Sequence, residues 1–158
     1  MKYWLFKSEP DEYGLDDLKA ETGQTGRWDG IRNYQARNFL RDQVAEGDGV
    51  LFYHSACKVP AIVGTARVVR AAYPDPAQFN PESKYFDPKA STDKPRWFCV
   101  DIQWQSQFAR PVPLAEIKRD PALAEMVLVK QGRLSIQPVA EPEWQYLIAR
   151  GNNGHNVG

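Results

Sequence analysis

The chain has 158 residues, 42% hydrophobic and 12% aromatic, which suits one domain with a sizeable core and excludes a disordered segment. Twenty basic residues balance twenty acidic ones, so nucleic-acid binding through overall positive charge is excluded and would have to come from a local patch and a shaped site. Cys57 and Cys99 have no second pair at metal-ligand spacing, which argues against a structural metal, and no segment approaches the length needed to cross a bilayer. Two isolated cysteines and no secretory h-region point to a soluble protein of the reducing cytoplasm.

Residues 2–6 predict a short buried strand, stopped at Lys7-Ser8-Glu9 by Pro10, so that three polar side chains face one end of a sheet. Residues 16–21 fit one or two helical turns with Leu15 and Leu18 inward, and residues 21–27 read as a loop with two glycines that delivers Trp28. Asp29-Gly30 is a turn signal and Asn33 a candidate N-cap. Over residues 34–44, Ala36, Phe39, Leu40 and Val44 recur at helical spacing, while Tyr34, Arg37 and Arg41 fall on another flank. That flank carries one ring and two guanidinium groups. Gly47 is expected to close the helix as a C′ glycine, and Trp28, in a turn at the helix entrance, reads as a binding group rather than a core aromatic.

Residues 50–56 predict a strand covered on both sides and ending at Tyr53-His54-Ser55, followed by a long strand over residues 61–73. Gly64 within it suggests a bulge or a close backbone approach. Residues 74–95, rich in proline, form an irregular stretch long enough to be a binding loop, where Lys84 and Tyr85 could cover a pocket. Residues 97–104 alternate as a strand, with Pro111 and Pro113 ending that region. Short helices follow at residues 114–118 and after Asp120-Pro121, then a Gly132 turn, a last strand with Leu134 and Ile136 inward, and a closing helix at residues 142–149. One domain over residues 1–150 is expected, with a frayed tail at 151–158.

Catalytic signatures are scarce. The chain has no phosphate loop, dinucleotide fingerprint, HExxH or nucleophile elbow. Neighbouring strand residues point to opposite faces, so His54 is a poor base for Ser55. The polar strand ends, Trp28 and the Arg133-Leu-Ser135 segment instead offer a flat aromatic, hydroxyls, an amide and cations. A nucleotide base is a ligand that fits this set.

Six segments, YWLFKSEP, WDGIRNYQARNFLRD, GDGVLFYHS, AIVGTARVVRAAYPDP, SKYFDPKAS and VKQGRLSIQPV, resemble the EVE domain family in order and spacing. The resemblance implies an α+β, PUA-like small mixed β-barrel of about five to six strands with short helices around it, related to YTH domains. It further implies a free-standing, monomeric, non-catalytic reader of a modified base, chiefly modified cytosine in DNA, with RNA as second choice and no cofactor. Trp28 would wall the base pocket, Ser8 would meet the base edge, Asn33, Tyr53, His54 and Ser55 would line the mouth, and Arg133 and Ser135 would close it. Lys7, Arg32, Arg37 and Arg41 are the expected phosphate contacts. The second cage ring of YTH domains has no fixed counterpart, and Tyr85, Phe86 or Trp97 could stand in. The alternatives are an RNA hydrolase of the related ASCH group and a small-metabolite or partner-binding domain using the same pocket.

Overall fold

A computed structural model describes residues 1–152 of the chain. In order the elements are β1 (Tyr3–Ser8), α1 (Pro10–Tyr13), α2 (Leu15–Ala20), β2 (Thr25–Trp28), α3 (Tyr34–Asp42), β3 (Gly49–His54), β4 (Ala61–Pro74), β5 (Phe98–Pro113), α4 (Leu114–Arg119), α5 (Val127–Lys130), β6 (Ile136–Val139) and α6 (Glu141–Asn152). The six strands form one mixed sheet in the order β2-β5-β4-β3-β1-β6. Among the described residues only the β1–β3 pairing is parallel. No membrane-crossing helix exists among the described residues.

Both faces of the sheet are covered, because the strands present apolar residues at consecutive positions rather than alternate ones. Trp4, Phe6, Val50, Phe52, Val100 and Ile102 face α2 and α3, which contribute Leu15, Leu18, Ala36 and Leu40. Leu5, Leu51, Tyr53 and Ile62 face the opposite side, under Ile117, Leu123, Met126 and Leu147. The period-two rule thus decides which residues near the β1 and β3 ends share a face: Ser8 and His54 follow the first set, Lys7 and Tyr53 the second.

The sheet curls without closing. Trp28 of β2 packs against Phe6 of β1 and Phe52 of β3, at 5.4 and 5.3 Å between ring centroids, although three strands lie between β2 and β1. Yet β2 and β6 remain sheet edges among the described residues. The expected barrel is therefore a curled six-stranded sheet with an open seam. Gly64 permits the curl at the β4–β5 crossing, where a Cβ would collide with the Ser106 carbonyl oxygen.

Several boundaries move for physical reasons. β2 forms from a segment read as loop, because pairing with β5 at Trp28↔Val100 supplies the ladder that Thr-Gly-Arg-Trp lacks locally. α3 ends at Asp42 with Gln43 as its C-cap, and Gly47 (φ 95°) lies in the next turn, not at the helix terminus. Asp48 organises that turn, accepting from the Ala45 and Lys2 amides and the Trp4 indole at 2.9–3.0 Å. β5 runs through to Pro113. α6 extends to Asn152, so Gly151 belongs to a packed helix, buried where a Cβ would strike Phe108; residues 153–158 of the expected tail lie outside the described residues.

Candidate functional site

The seam opens into a cleft of about 1160 Å³. Its rim comes from the β1 end (Lys7, Ser8), the β2 end and following turn (Gly26 to Asn33), the residues after β3 (Ser55, Ala56), the loop before β5 (Lys84, Tyr85) and the loop before β6 (Gly132, Arg133, Ser135). Parallel pairing brings the β1 and β3 termini to one edge, and antiparallel pairing brings the start of β6 beside them, which the Lys7 N–H to Ser135 carbonyl bond continues at 3.0 Å.

Trp28 is the cleft floor, 5% exposed. It is a core aromatic as well as a lining residue, contrary to the sequence expectation. The last β2 side chain points to the face already occupied by Phe6 and Phe52.

Two tyrosines stand beside it. Tyr13 packs over Gly26, where an added Cβ would collide with its hydroxyl, and Tyr85 packs over Gly30, where a Cβ would lie 2.8 Å from Cζ. Both glycines lie two residues from Trp28 in sequence, and each seats a tyrosine ring that lines the cleft. Gly30 also has φ 76°, a conformation that glycine adopts without strain. Tyr13 meets Trp28 edge-on at 6.3 Å. Burial and the Glu21 carboxylate raise the Tyr13 phenol well above its ordinary range, keeping it a proton donor. Of the three candidates for a second cage ring, Tyr85 reaches the cleft. Trp97 is buried with its indole N–H on Asp87, and Phe86 is exposed outside the lining.

The turn carrying Trp28 is fixed from a distance. Asp75, fully buried, accepts from Gly30 N at 2.9 Å and Arg32 Nη1 at 3.0 Å with one oxygen, and from Ala77 N at 2.8 Å with the other. Arg32 also donates to the Tyr85 carbonyl from Nε and Nη2, at 3.2 and 2.9 Å, and to the Ile31 carbonyl from Nη1 at 3.0 Å. Its guanidinium is therefore spent on protein acceptors, buckling the residue 74–97 loop to the Trp28 turn. It borders the cleft but is not free for a phosphate.

Ser8, Trp28, Asn33, Ser55, Arg133, Ser135, Lys7 and Arg32 all reach the cleft. Ser8 Oγ donates to the Tyr13 carbonyl at 2.7 Å, which leaves it an acceptor toward the cleft. Asn33 caps α3 by accepting from Ala36 N at 3.0 Å, leaving its amide NH2 as donor. Lys7 Nζ holds the Gly132 carbonyl, steadying the loop that carries Arg133, and burial lowers its pKa. Arg133 is exposed and has no ion-pair partner among the described residues.

Four expected residues are not brought there. Tyr53 belongs to the opposite face of the sheet and is 2% exposed. His54 turns its Nε2 to the amide of Leu15 at 3.1 Å, at the start of α2, and burial lowers its pKa. Arg37 lies over Tyr34 on the outer flank of α3, and Arg41 pairs with Asp42 at 2.7 Å. Glu9, expected on the polar end of β1, also lines the cleft, whereas sequence reasoning missed Tyr13, Glu12, Glu21, Arg27 and Asp29 as lining groups. The cleft is nearly charge-balanced, and burial with the nearby Asp75 raises the Asp29 carboxyl. An aromatic just past a polar strand end was the one available signal for Tyr13.

Comparison with known proteins agrees with this architecture. The EVE domain model matches residues 2–150. Thymocyte nuclear protein 1 of Mus musculus is 41% identical over 164 residues, spanning 93% of this chain and 72% of that protein. A hypothetical protein from Leishmania major has a TM-score of 0.92 and 42% identity, over 98% of this chain and 97% of the other. Human THYN1 protein in complex with 5-methylcytosine-containing DNA has a TM-score of 0.89 and 40% identity, over 94% of this chain and 96% of the other. At 11% identity and TM-score 0.55, likeness to an ASCH protein from Zymomonas mobilis extends to the fold alone. Matched along almost its whole length, the chain belongs to the EVE domain family.

Proposed function

We propose that this domain reads a modified base, 5-methylcytosine in DNA, everted into the cleft, and performs no chemistry on it. The observation that carries the reading is that two glycine-seated tyrosines, Tyr13 and Tyr85, line the same cleft as Trp28. Aromatic rings of this kind offer faces and edges for a planar base to pack against. The human relative's complex with 5-methylcytosine-containing DNA supports the choice of ligand.

The polar rim complements a cytosine edge. Its exocyclic amine is a donor, suited to the Ser8 and Ser55 oxygens, while its ring carbonyl and N3 accept, suited to the Asn33 amide and Arg133. Eversion costs a few kcal/mol. Aromatic contact returns about 1–3 kcal/mol, so the edge hydrogen bonds at about 0.5–1.5 kcal/mol each must supply the surplus. One buried methyl contributes about 0.8 kcal/mol, or about fourfold. A preference well above tenfold for the methylated base would therefore report shape exclusion around that methyl.

Recognition is favoured over hydrolysis because the obvious catalytic groups are occupied. Ser8 directs its proton to the Tyr13 carbonyl, and His54 directs its lone pair to the Leu15 amide. The test is binding of duplexes that differ only in the 5-methyl group, with Tyr13→Leu and Tyr85→Leu as probes that retain bulk but remove the ring. Loss of methyl preference in both variants is expected. Equal binding of methylated and plain duplexes by the wild type, or turnover of labelled RNA, would overturn the reading. Retention of affinity at high salt would favour a small-metabolite ligand instead, since phosphate contacts require it to fall.

A further inference from the structure

A second surface adjoins the cleft. Tyr34, the first residue of α3, follows Asn33 on the rim, yet its ring is 50% exposed. It packs on Trp97 at 4.9 Å, and the Arg37 guanidinium lies over both rings, 4.8 Å from Tyr34 and 5.8 Å from Trp97. On the inner side, Arg32 lies 5.4 Å from Trp97 and 5.2 Å from Tyr85, the cleft wall. Tyr85, Arg32, Trp97, Arg37 and Tyr34 thus form a continuous run from the cleft to open solvent.

The outer end is cationic. Arg37 donates to the Arg96 carbonyl at 2.9 Å and to Asn38 Oδ1, and no carboxylate pairs with it among the described residues. The acids nearby are already engaged, Asp42 by Arg41 and Asp87 by Arg96 and the Trp97 indole.

We propose that Tyr34 and Arg37 form a second contact surface for the DNA flanking the everted nucleotide, the ring packing on the adjoining nucleotide and the guanidinium meeting a phosphate. This rests on the base-reading function, and its observations lie outside the base slot. Rings stack on any base, so the surface adds affinity without sequence preference.

The test compares two probes, a duplex containing one 5-methylcytosine and the free nucleoside 5-methyl-2′-deoxycytidine, with Tyr34→Ala and Arg37→Gln. Tyr34→Ala should weaken duplex binding about tenfold. Arg37→Gln should lower the salt slope by about one. Both should bind the nucleoside as the wild type does, which also shows that the cleft is folded. Unchanged duplex affinity overturns the inference while leaving base reading intact. Loss of both probes also overturns it, because the residues would then act through the fold of the cleft. If the wild type ignores methylation yet the variants lose duplex affinity, base reading fails and the surface stands. If the wild type binds no duplex, both fail.

Discussion

Removing the Asp75 carboxylate tests how the cleft is held. Asp75→Ala deletes three hydrogen bonds, to Gly30 N, Arg32 Nη1 and Ala77 N, and leaves Arg32 partly buried with no carboxylate partner. Breaking one side of a buried ion pair costs about 3–5 kcal/mol. For a domain of this size that lowers the melting temperature by about 6–20 °C. Asp75→Asn should cost less, since its single amide oxygen can serve Ala77 or the Gly30–Arg32 pair but not both, and it brings no charge to Arg32. The assay is chemical denaturation with a constant m-value, on Asp75→Ala, Arg32→Ala and the double variant. Both residues act on one turn, so the double variant should lose clearly less than the sum of the singles. Additive losses, or a cost below about 1 kcal/mol for Asp75→Ala, would refute the buckle. At temperatures where the variant is still folded, methyl preference should already be lost, because Tyr85 is positioned through the same arginine.

Gly30→Ala should cost about 1–2 kcal/mol from its left-handed backbone, and also displace Tyr85 and abolish methyl preference. Gly23→Ala, at φ 65° with open space around it, should show a similar stability cost with binding intact; equal binding by both variants would refute the seat. His54 has a folded pKa below its ordinary value of 6.5, so the unfolded chain takes up the proton first. Stability should therefore fall as pH drops from about 6.5 toward the folded pKa, and His54→Gln, followed by melting across that range, should flatten this dependence. In the native protein a thiol reagent should label Cys57 and spare Cys99, which is buried with its thiol pushed up to about 12. Two native thiols reacting at one rate would contradict that.

The residues legible in the sequence were those whose partners lie close by in the chain. Asn33 caps its helix through Ala36, three residues on, and the polar ends of β1 and β3 follow from where the apolar runs stop. The sequence does not show what Arg32 holds, because its partner, Asp75, lies 43 residues away and a guanidinium beside an aromatic turn reads alike whether it holds a phosphate or a carboxylate. Tyr53 and His54 look like one polar rim in the sequence, but period-two geometry sends one into the opposite core and the other to the start of α2. β2 was invisible for the same reason as Arg32: its ladder partner sits far along the chain, in β5. Trp28 was found by its surroundings, but local sequence could not show that a binding wall would also be core.

The unjoined edges of β2 and β6 have one more consequence. Among the described residues no main-chain bond stitches the two lips together, so they can separate by shifting side chains while every ladder bond survives. A bulkier substituent on the captured ring would then be met by local yielding of Tyr13 and Tyr85, not by partial unfolding. Amide exchange in β3 and β4 should stay as slow with the guest as without it, and changes should concentrate at the loops that border the gap.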